Sequence, residues 1–96
     1  MDDIIDITDE TYIGVHHIIQ LPLKMGVKIT TMLDEIIISS KTASVIDIID
    51  ENSPINISNL RELLINNKIL SNKREVANVI NELIEYKIIE ILYDTW

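Results

Sequence analysis

The clearest alternation of apolar and polar positions lies near the end of the chain, between residues 71 and 93. Apolar side chains recur there at a spacing of three and four residues, which places them along one face of a helix. They are Val76, Val79, Ile80, Leu83 and Ile84. After Lys87 the apolar residues are β-branched or aromatic, as strands favour. The pattern therefore predicts an amphipathic helix over residues 71–86 and a strand over residues 88–93.

The start of this helix carries capping signals. Ser71 and Asn72 are both suitable N-cap residues. Glu75 lies three positions after Asn72, which is the spacing of a capping box. These signals support a helix that begins close to residue 72.

A shorter helix is predicted over residues 58–67. Ser58 or Asn59 can cap its start, and Asn66 and Asn67 mark its end because asparagine tolerates the left-handed conformation that closes a helix. Its predicted buried stripe consists of Leu60, Leu63 and Leu64. A tight turn then leads into the longer helix.

Two further elements precede these helices. Apolar periodicity extends over residues 42–51, with Thr42 as the favoured N-cap. Pro54 prevents this helix from continuing, because the residue before a proline is pushed out of helical geometry. Residues 55–57 alternate between apolar and polar and predict a short strand.

The first 40 residues predict a strand, a loop and a helix. Residues 12–19 alternate as a strand does, and Pro22 and Gly26 mark a loop. Residues 28–39 place apolar side chains at helical spacing, which predicts a helix. These side chains are Ile29, Met32, Leu33, Ile36 and Ile37. A single bent helix over residues 28–51 is the alternative to two separate helices.

The composition points to a contact with another protein chain. Ninety-six residues suit one domain, and 22 isoleucines without any phenylalanine imply an aliphatic core. A small domain cannot bury so many isoleucines, so part of the surplus is expected at an interface with a protein partner or a second copy. The expected contact residues are Ile29, Ile36, Ile37, Ile38, Tyr93 and Trp96. We therefore expect a homodimer.

The net charge of −8 is distributed unevenly along the chain. Residues 1–57, which include an acidic tail over residues 2–10, carry −7, residues 58–81 carry +2 and residues 82–96 carry −3. The basic window coincides with the start of the long helix and with the helix before it. Cations in such a window are suited to the phosphates of a nucleic acid.

Motifs that carry chemistry are few. The chain has no cysteine, which excludes disulfides, thiolate nucleophiles and zinc–thiolate sites. His16 and His17 are neighbours on a predicted strand and point to opposite faces, so they are not expected to hold one metal ion. Gly14 and Gly26 stand alone and form no phosphate-binding loop. We expect no enzymatic activity and no cofactor, and the absence of a long apolar run or a basic leader predicts a cytoplasmic protein.

Residues 42–93 combine, in order, a helix, a short strand, two helices and a strand. The two helices and the last strand contain the segments NLRELL and REVANVINELIEYKIIEIL, which are separated by a turn. This order resembles a winged helix-turn-helix domain. The resemblance implies a mainly α fold with a small β-sheet, winged helix-turn-helix-like, with an N-terminal strand and helix extension. Residues 42–96 would form the winged-helix-like domain and residues 1–41 the extension. The wing of the family has two strands, and the second would come from residues 12–19.

The resemblance also implies a function. The helix over residues 71–86 would be a recognition helix lying in the major groove of DNA, and the protein would be a small DNA-binding transcriptional regulator. The implied DNA-binding residues are Arg61, Lys68, Ser71, Asn72, Lys73, Arg74, Asn78 and Asn81. The alternative is an acidic accessory subunit of a replication or transcription assembly, which interacts with proteins and does not itself grip DNA.

Overall fold

The structure, a computed structural model, describes residues 8–92 and contains six strands and three helices in that range. They are β1 (Tyr12–Val15), β2 (Ile19–Leu23), β3 (Gly26–Thr30), β4 (Glu35–Ile38), α1 (Ser40–Asn52), β5 (Ile55–Asn56), α2 (Ile57–Asn66), α3 (Lys73–Glu85) and β6 (Ile89–Leu92). The strands form two antiparallel sheets, with the orders β5-β1-β6 and β2-β3-β4. No helix in the described range is long and apolar enough to cross a membrane.

β1 is the central strand of the first sheet. It pairs with β5 on one side and along its whole length with β6 on the other. The strand predicted over residues 12–19 is confirmed in its first four residues, and so is its pairing with the C-terminal strand. The short strand predicted over residues 55–57 is confirmed as β5. This sheet joins the beginning and the end of the described chain.

The helix predicted over residues 28–39 is wrong. This segment forms β3 and β4, which continue from β2 as a meander. The loop predicted between Pro22 and Gly26 is confirmed only as a two-residue turn at Lys24 and Met25, because Pro22 lies within β2 and Gly26 begins β3. A single bent helix over residues 28–51 is excluded, since α1 begins only after β4.

Turn chemistry explains the difference. Met32 and Leu33, which completed the helical stripe in the sequence, lie in the turn between β3 and β4 and are 93% and 79% exposed. The hydroxyl oxygen of Thr31 accepts hydrogen bonds from the backbone N–H groups of Leu33 and Asp34, at 3.1 and 3.0 Å. Several flanking residues are β-branched, so they favour strands despite their helical spacing.

The fold class predicted from the sequence is therefore wrong. The structure is a small α/β domain with two three-stranded antiparallel sheets and three helices, rather than a mainly α domain with a small sheet. Helices account for 42% of the described residues and strands for 28%. Residues 8–39 contribute strands to both sheets and contain no helix.

The three C-terminal helices are confirmed. Those predicted over residues 42–51, 58–67 and 71–86 correspond to α1, α2 and α3, each within two residues of the expected bounds. Every buried side chain in the described range is aliphatic. One contiguous cluster contains most of them and takes in side chains from both sheets and all three helices.

Two of the helices begin earlier than predicted. α1 is capped by Ser39, whose side chain accepts a hydrogen bond from the N–H of Thr42 at 3.1 Å, so the predicted cap at Thr42 is wrong. α2 is capped by Asn56 rather than by Ser58 or Asn59. In both helices an upstream polar side chain satisfies an N–H group that the first turn leaves free.

The C-terminal ends of α2 and α3 have the same geometry. Lys68 follows α2 and Lys87 follows α3, and they adopt left-handed φ angles of 59° and 64°. In each case the next isoleucine donates its N–H to a leucine carbonyl five residues earlier, at 2.9 Å in α2 and 3.0 Å in α3. This is the Schellman motif, which satisfies the last carbonyls of a helix.

The sequence contains this motif twice, as LINNKI over residues 64–69 and LIEYKI over residues 83–88. Lysine occupies the left-handed position in both copies. The prediction that Asn66 or Asn67 would adopt this conformation is therefore wrong.

Lys87→Gly is expected to raise the free energy of unfolding by about 0.5–1 kcal/mol, because glycine adopts the left-handed conformation without the steric cost that lysine bears. Glu85→Gly lies two residues earlier, inside α3, and is expected to lower it by about 0.5–1 kcal/mol. Urea unfolding followed by far-UV circular dichroism measures both changes. If both variants were destabilised to the same extent, Lys87 would not occupy the left-handed position of a Schellman motif.

Candidate functional site

The basic window of the sequence lies around the first turn of α3. Asn72 caps this helix by accepting a hydrogen bond from the N–H of Glu75, at 3.0 Å. The Glu75 carboxylate accepts a hydrogen bond from the N–H of Ser71, at 2.7 Å. The predicted spacing is confirmed, although the carboxylate binds the residue before the cap rather than the cap itself. The side-chain oxygen of Asn72 is thus engaged within the protein.

Glu75 places a negative charge inside this basic window. The hydrogen bond from the Ser71 N–H holds the pKa of Glu75 below its ordinary value, and the ammonium group of Lys41 lowers it further. The Nζ atom of Lys41 lies 3.8 Å from Glu75 Oε2, so the first turn of α1 stands beside the first turn of α3. Sequence reasoning missed Lys41 because it belongs to the acidic first part of the chain.

Arg61 is paired with an acid from the other end of the described chain. Its guanidinium group donates to both carboxylate oxygens of Asp9, with the shorter hydrogen bond at 2.5 Å. This bond is the main reason that the pKa of Asp9 lies below its ordinary value, and the charge of Lys73 adds a smaller effect. Arg61 and Lys73 therefore stand near one another. The Arg61 side chain is only 21% exposed.

The other residues with a predicted role in DNA binding are exposed. They are Lys68, Ser71, Asn72, Lys73, Arg74, Asn78 and Asn81. Within residues 8–92, no carboxylate lies within salt-bridge distance of Lys68, Lys73 or Arg74. Three exposed cations are therefore available near the turn between α2 and α3.

The exposed face of α3 changes sign along its length. Arg74 lies in the first turn, and Asn78 and Asn81 follow in the next two turns. Glu82 and Glu85 continue the exposed face towards the end of the helix. Only the beginning of α3 is therefore suited to a polyanion, since the carboxylates further along would be repelled by phosphates.

The isoleucines expected at a partner contact differ in exposure. Ile29 is fully buried in the core, and Ile36 and Ile38 are half-buried against it. Ile37 points to the opposite face of β4 and is 64% exposed. The remaining expected contact residues lie outside the described range: Tyr93 and Trp96.

β4 forms an edge of the second sheet. The turn before it is closed by a hydrogen bond from the N–H of Thr31 to the carbonyl of Asp34, at 2.8 Å. Along an antiparallel pair, residues alternately hydrogen-bond to the partner strand and turn their backbone N–H and C=O groups away from it. The closing bond and the strand register together imply that Glu35 and Ile37 turn these groups away from β3. Glu35 donates its N–H to Asp34 Oδ1 at 2.8 Å, whereas the N–H of Ile37 has no acceptor within residues 8–92.

Two other sheet edges in the described range are less open. The same alternation leaves Gln20 and Pro22 facing outward on β2, and Pro22 has no N–H to offer. β5 contains only two residues. β4 therefore offers a less obstructed place for another strand than β2 or β5 does.

The two histidines follow β1, which ends at Val15, so the strand predicted to contain them stops before them. His16 and His17 line a cavity of about 320 Å³, together with Met32 and Leu33 from the β3–β4 turn. His16 Nδ1 is 3.9 Å from a carboxylate oxygen of Glu90. Within residues 8–92, no group of three or more His, Asp or Glu side chains is arranged to hold a metal ion. A more open depression of about 500 Å³ beside α2 is lined partly by asparagines.

Comparison of the chain with protein-family models, with curated proteins and with solved structures gave no match. Two features of the described residues are suited to binding another molecule. One is the open backbone edge of β4, and the other is the set of exposed cations at the start of α3.

Glu75→Gln is expected to lower the urea midpoint at pH 7, and the difference from the wild type is expected to shrink as the pH falls below 4.5. A carboxyl group whose pKa is lowered by folding stabilises the fold above its ordinary value of 4.5, and this contribution is lost as the pH falls through the lower folded value. Glutamine retains an acceptor for the Ser71 N–H but not the charge. A variant whose midpoint equals that of the wild type at pH 7 would refute this role of the charge.

Proposed function

We propose that the protein is a non-enzymatic interaction subunit that binds an extended segment of another protein as an additional strand on β4. The open edge of this strand supports the proposal, because the N–H of Ile37 and the carbonyls of Glu35 and Ile37 face away from β3. Exposed apolar strand edges are sites at which peptides add to sheets. The proposal is a specific form of the protein-interaction alternative drawn from the sequence.

The side chains of β4 indicate which peptides would bind. An added strand places alternate side chains on the two faces of the sheet. On one face they would lie beside the exposed Ile37, and on the other beside the half-buried Ile36 and Ile38. A bound peptide is therefore expected to carry apolar residues at every second position, because those side chains extend the existing core.

The start of α3 lies near one end of this edge. Ser39 alone separates β4 from α1, and Lys41 in the first turn of α1 contacts Glu75 of α3. The exposed Lys73 and Arg74 would attract a carboxylate near the corresponding end of the peptide. The net charge of −8 opposes a peptide that is acidic throughout.

Ile37→Pro tests the proposal. Proline removes the outward N–H but leaves the hydrogen bonds between β3 and β4, which are made by the neighbouring residues. Linear peptides selected from a random phage-displayed library against the wild-type chain are expected to bind this variant about tenfold more weakly. Fluorescence anisotropy with labelled peptides measures the change.

Gln20→Pro is the matched control, because it removes an outward N–H from the opposite edge strand. The selected peptides are expected to bind it as tightly as the wild type, provided that circular dichroism shows an unchanged fold. Amide exchange followed by NMR gives a second readout, in which bound peptide slows exchange at Ile37 and not at Gln20. Equal affinity for both proline variants, with no protection at Ile37, would rule out strand addition.

DNA binding is a second candidate function, favoured by the exposure of Lys68, Lys73 and Arg74. In this case the first two turns of α3 would contact a duplex, as the resemblance implies. Arg61 is engaged by Asp9, however, and few free cations remain on a chain of net charge −8. Since non-specific affinity for DNA comes mainly from cations that neutralise phosphates, we rank this function second.

Arg74→Ala is the variant that tests DNA binding. It is expected to weaken the complex with a random-sequence duplex and to reduce the slope of log affinity against log salt by about one. Lys87→Ala, at the far end of α3, should leave both quantities unchanged. A gel shift that shows no complex with the wild-type chain at low salt would reject DNA binding without affecting the peptide proposal.

A further inference from the structure

The outer face of the second sheet exposes apolar side chains along its whole length. By register, three residues of β2 and one of β4 point to this face, which is opposite to the face that packs on the core. The turns at the two ends of the sheet carry three more exposed apolar side chains, and two of them, Met32 and Leu33, also line the cavity beside the histidines. All seven are between 41% and 93% exposed. They are Ile19, Leu21, Leu23, Met25, Met32, Leu33 and Ile37, and together we call them the outer apolar face.

The size of the outer apolar face is consistent with a protein interface. The four residues of β2 and β4 expose roughly 400 Å², and the three turn residues expose roughly 500 Å² beside them, against about 800 Å² buried by each partner in a typical stable complex. The largest apolar patch on an ordinary monomer is about 300–600 Å² and is often functional. The strand residues alone therefore form a patch of that size.

We propose that a second copy of this chain covers the outer apolar face, so that two of these sheets pack face to face in a two-fold symmetric dimer. This inference does not depend on peptide addition to β4, because the edge of a sheet remains at the side of such a sandwich. The surplus of isoleucine in the sequence is consistent with it, although most of the face comes from residues other than those expected.

The charges at the rim of the face complement a second copy. Lys24 lies in the turn at one end of the sheet, and Asp34 lies at the opposite end, next to Glu35, whose charge is balanced by Lys28. A two-fold axis perpendicular to the strands places the Lys24 end of each copy over the acidic end of the other. An axis parallel to the strands would instead bring like charges together. The charges therefore select the antiparallel arrangement of the two sheets.

The centre of the face contains one charged residue that is already compensated. Lys28 lies between Leu21 and Ile37 in the register, and its Nζ atom is 3.8 Å from a carboxylate oxygen of Glu35. Each copy thus brings a charge-balanced pair to the interface. A membrane surface fits the face less well, since a chain of net charge −8 is repelled by anionic lipids.

Sedimentation equilibrium of the full chain, from about 1 to about 200 µM, tests the proposal. The wild type is expected to approach twice the 11.0 kDa mass of one chain at the upper end of this range. The double variant Leu21→Lys, Ile37→Lys is expected to stay at the mass of one chain. The control Asn78→Lys, Asn81→Lys adds the same charge to the exposed face of α3 and should dimerise as the wild type does.

Salt and charge reversal give two further readouts. Lys24→Glu should weaken the dimer, because acidic ends would then face one another. Raising the salt concentration from about 20 to about 500 mM should reduce the difference between this variant and the wild type, because salt screens the charges at the rim.

Three results would overturn the dimer: a wild type that stays at the mass of one chain near 200 µM, a Leu21→Lys, Ile37→Lys variant that keeps its fold and still dimerises, or a monomer that binds neutral lipid vesicles. None of these results bears on the peptide-binding test, which depends on the backbone edge of β4.

Discussion

The pairing of β1 with β6 holds the described chain together. Four residue pairs join the two strands, and a hydrogen bond from His16 N–H to the Ile88 carbonyl, at 2.9 Å, extends the contact. The segment before β1 continues in the same direction, where Ser58 N–H donates to the carbonyl of Asp9 at 3.1 Å. That backbone contact brings the Asp9 carboxylate to Arg61. The charge of Arg61 in α2 is therefore balanced by a residue that lies outside residues 42–96, the range that resembles a winged-helix domain.

Local signals were enough to predict the three helices and failed for the β3–β4 hairpin. Ile29 and Ile36 are seven residues apart, which is close to two helical turns. They are also directly opposite one another across a hairpin with a two-residue turn, where both face the core. The same spacing thus fits both structures. Thr31 decides between them by binding the turn backbone, and this side-chain hydrogen bonding has no periodicity that a helical pattern could reveal.

The candidate sites were less predictable than the helices, because they depend on contacts between distant segments. The basic window was visible as a run of sequence, but the acid that engages Arg61 comes from Asp9, and Lys41 joins the window through its contact with Glu75. The open edge of β4 follows from the order of the strands in the sheet and from which of its residues hydrogen-bond to β3. The spacing of apolar residues in the sequence reveals neither. The isoleucines of the described residues lie mostly in or against the core, since only Ile19 and Ile37 are exposed, so the surplus of isoleucine did not indicate which surface residues would be apolar.

The division of side-chain types between core and surface has a consequence for oxidation. The buried side chains of the described residues are isoleucine, leucine, valine and alanine, so this core contains no sulfur. Both methionines of the described range, Met25 and Met32, lie instead in the turns at the two ends of the outer apolar face, and they are 89% and 93% exposed. Conversion of a thioether to a sulfoxide makes such a side chain polar. A mild oxidant would therefore change the chemical character of that surface at both of its ends while the packed interior kept its composition.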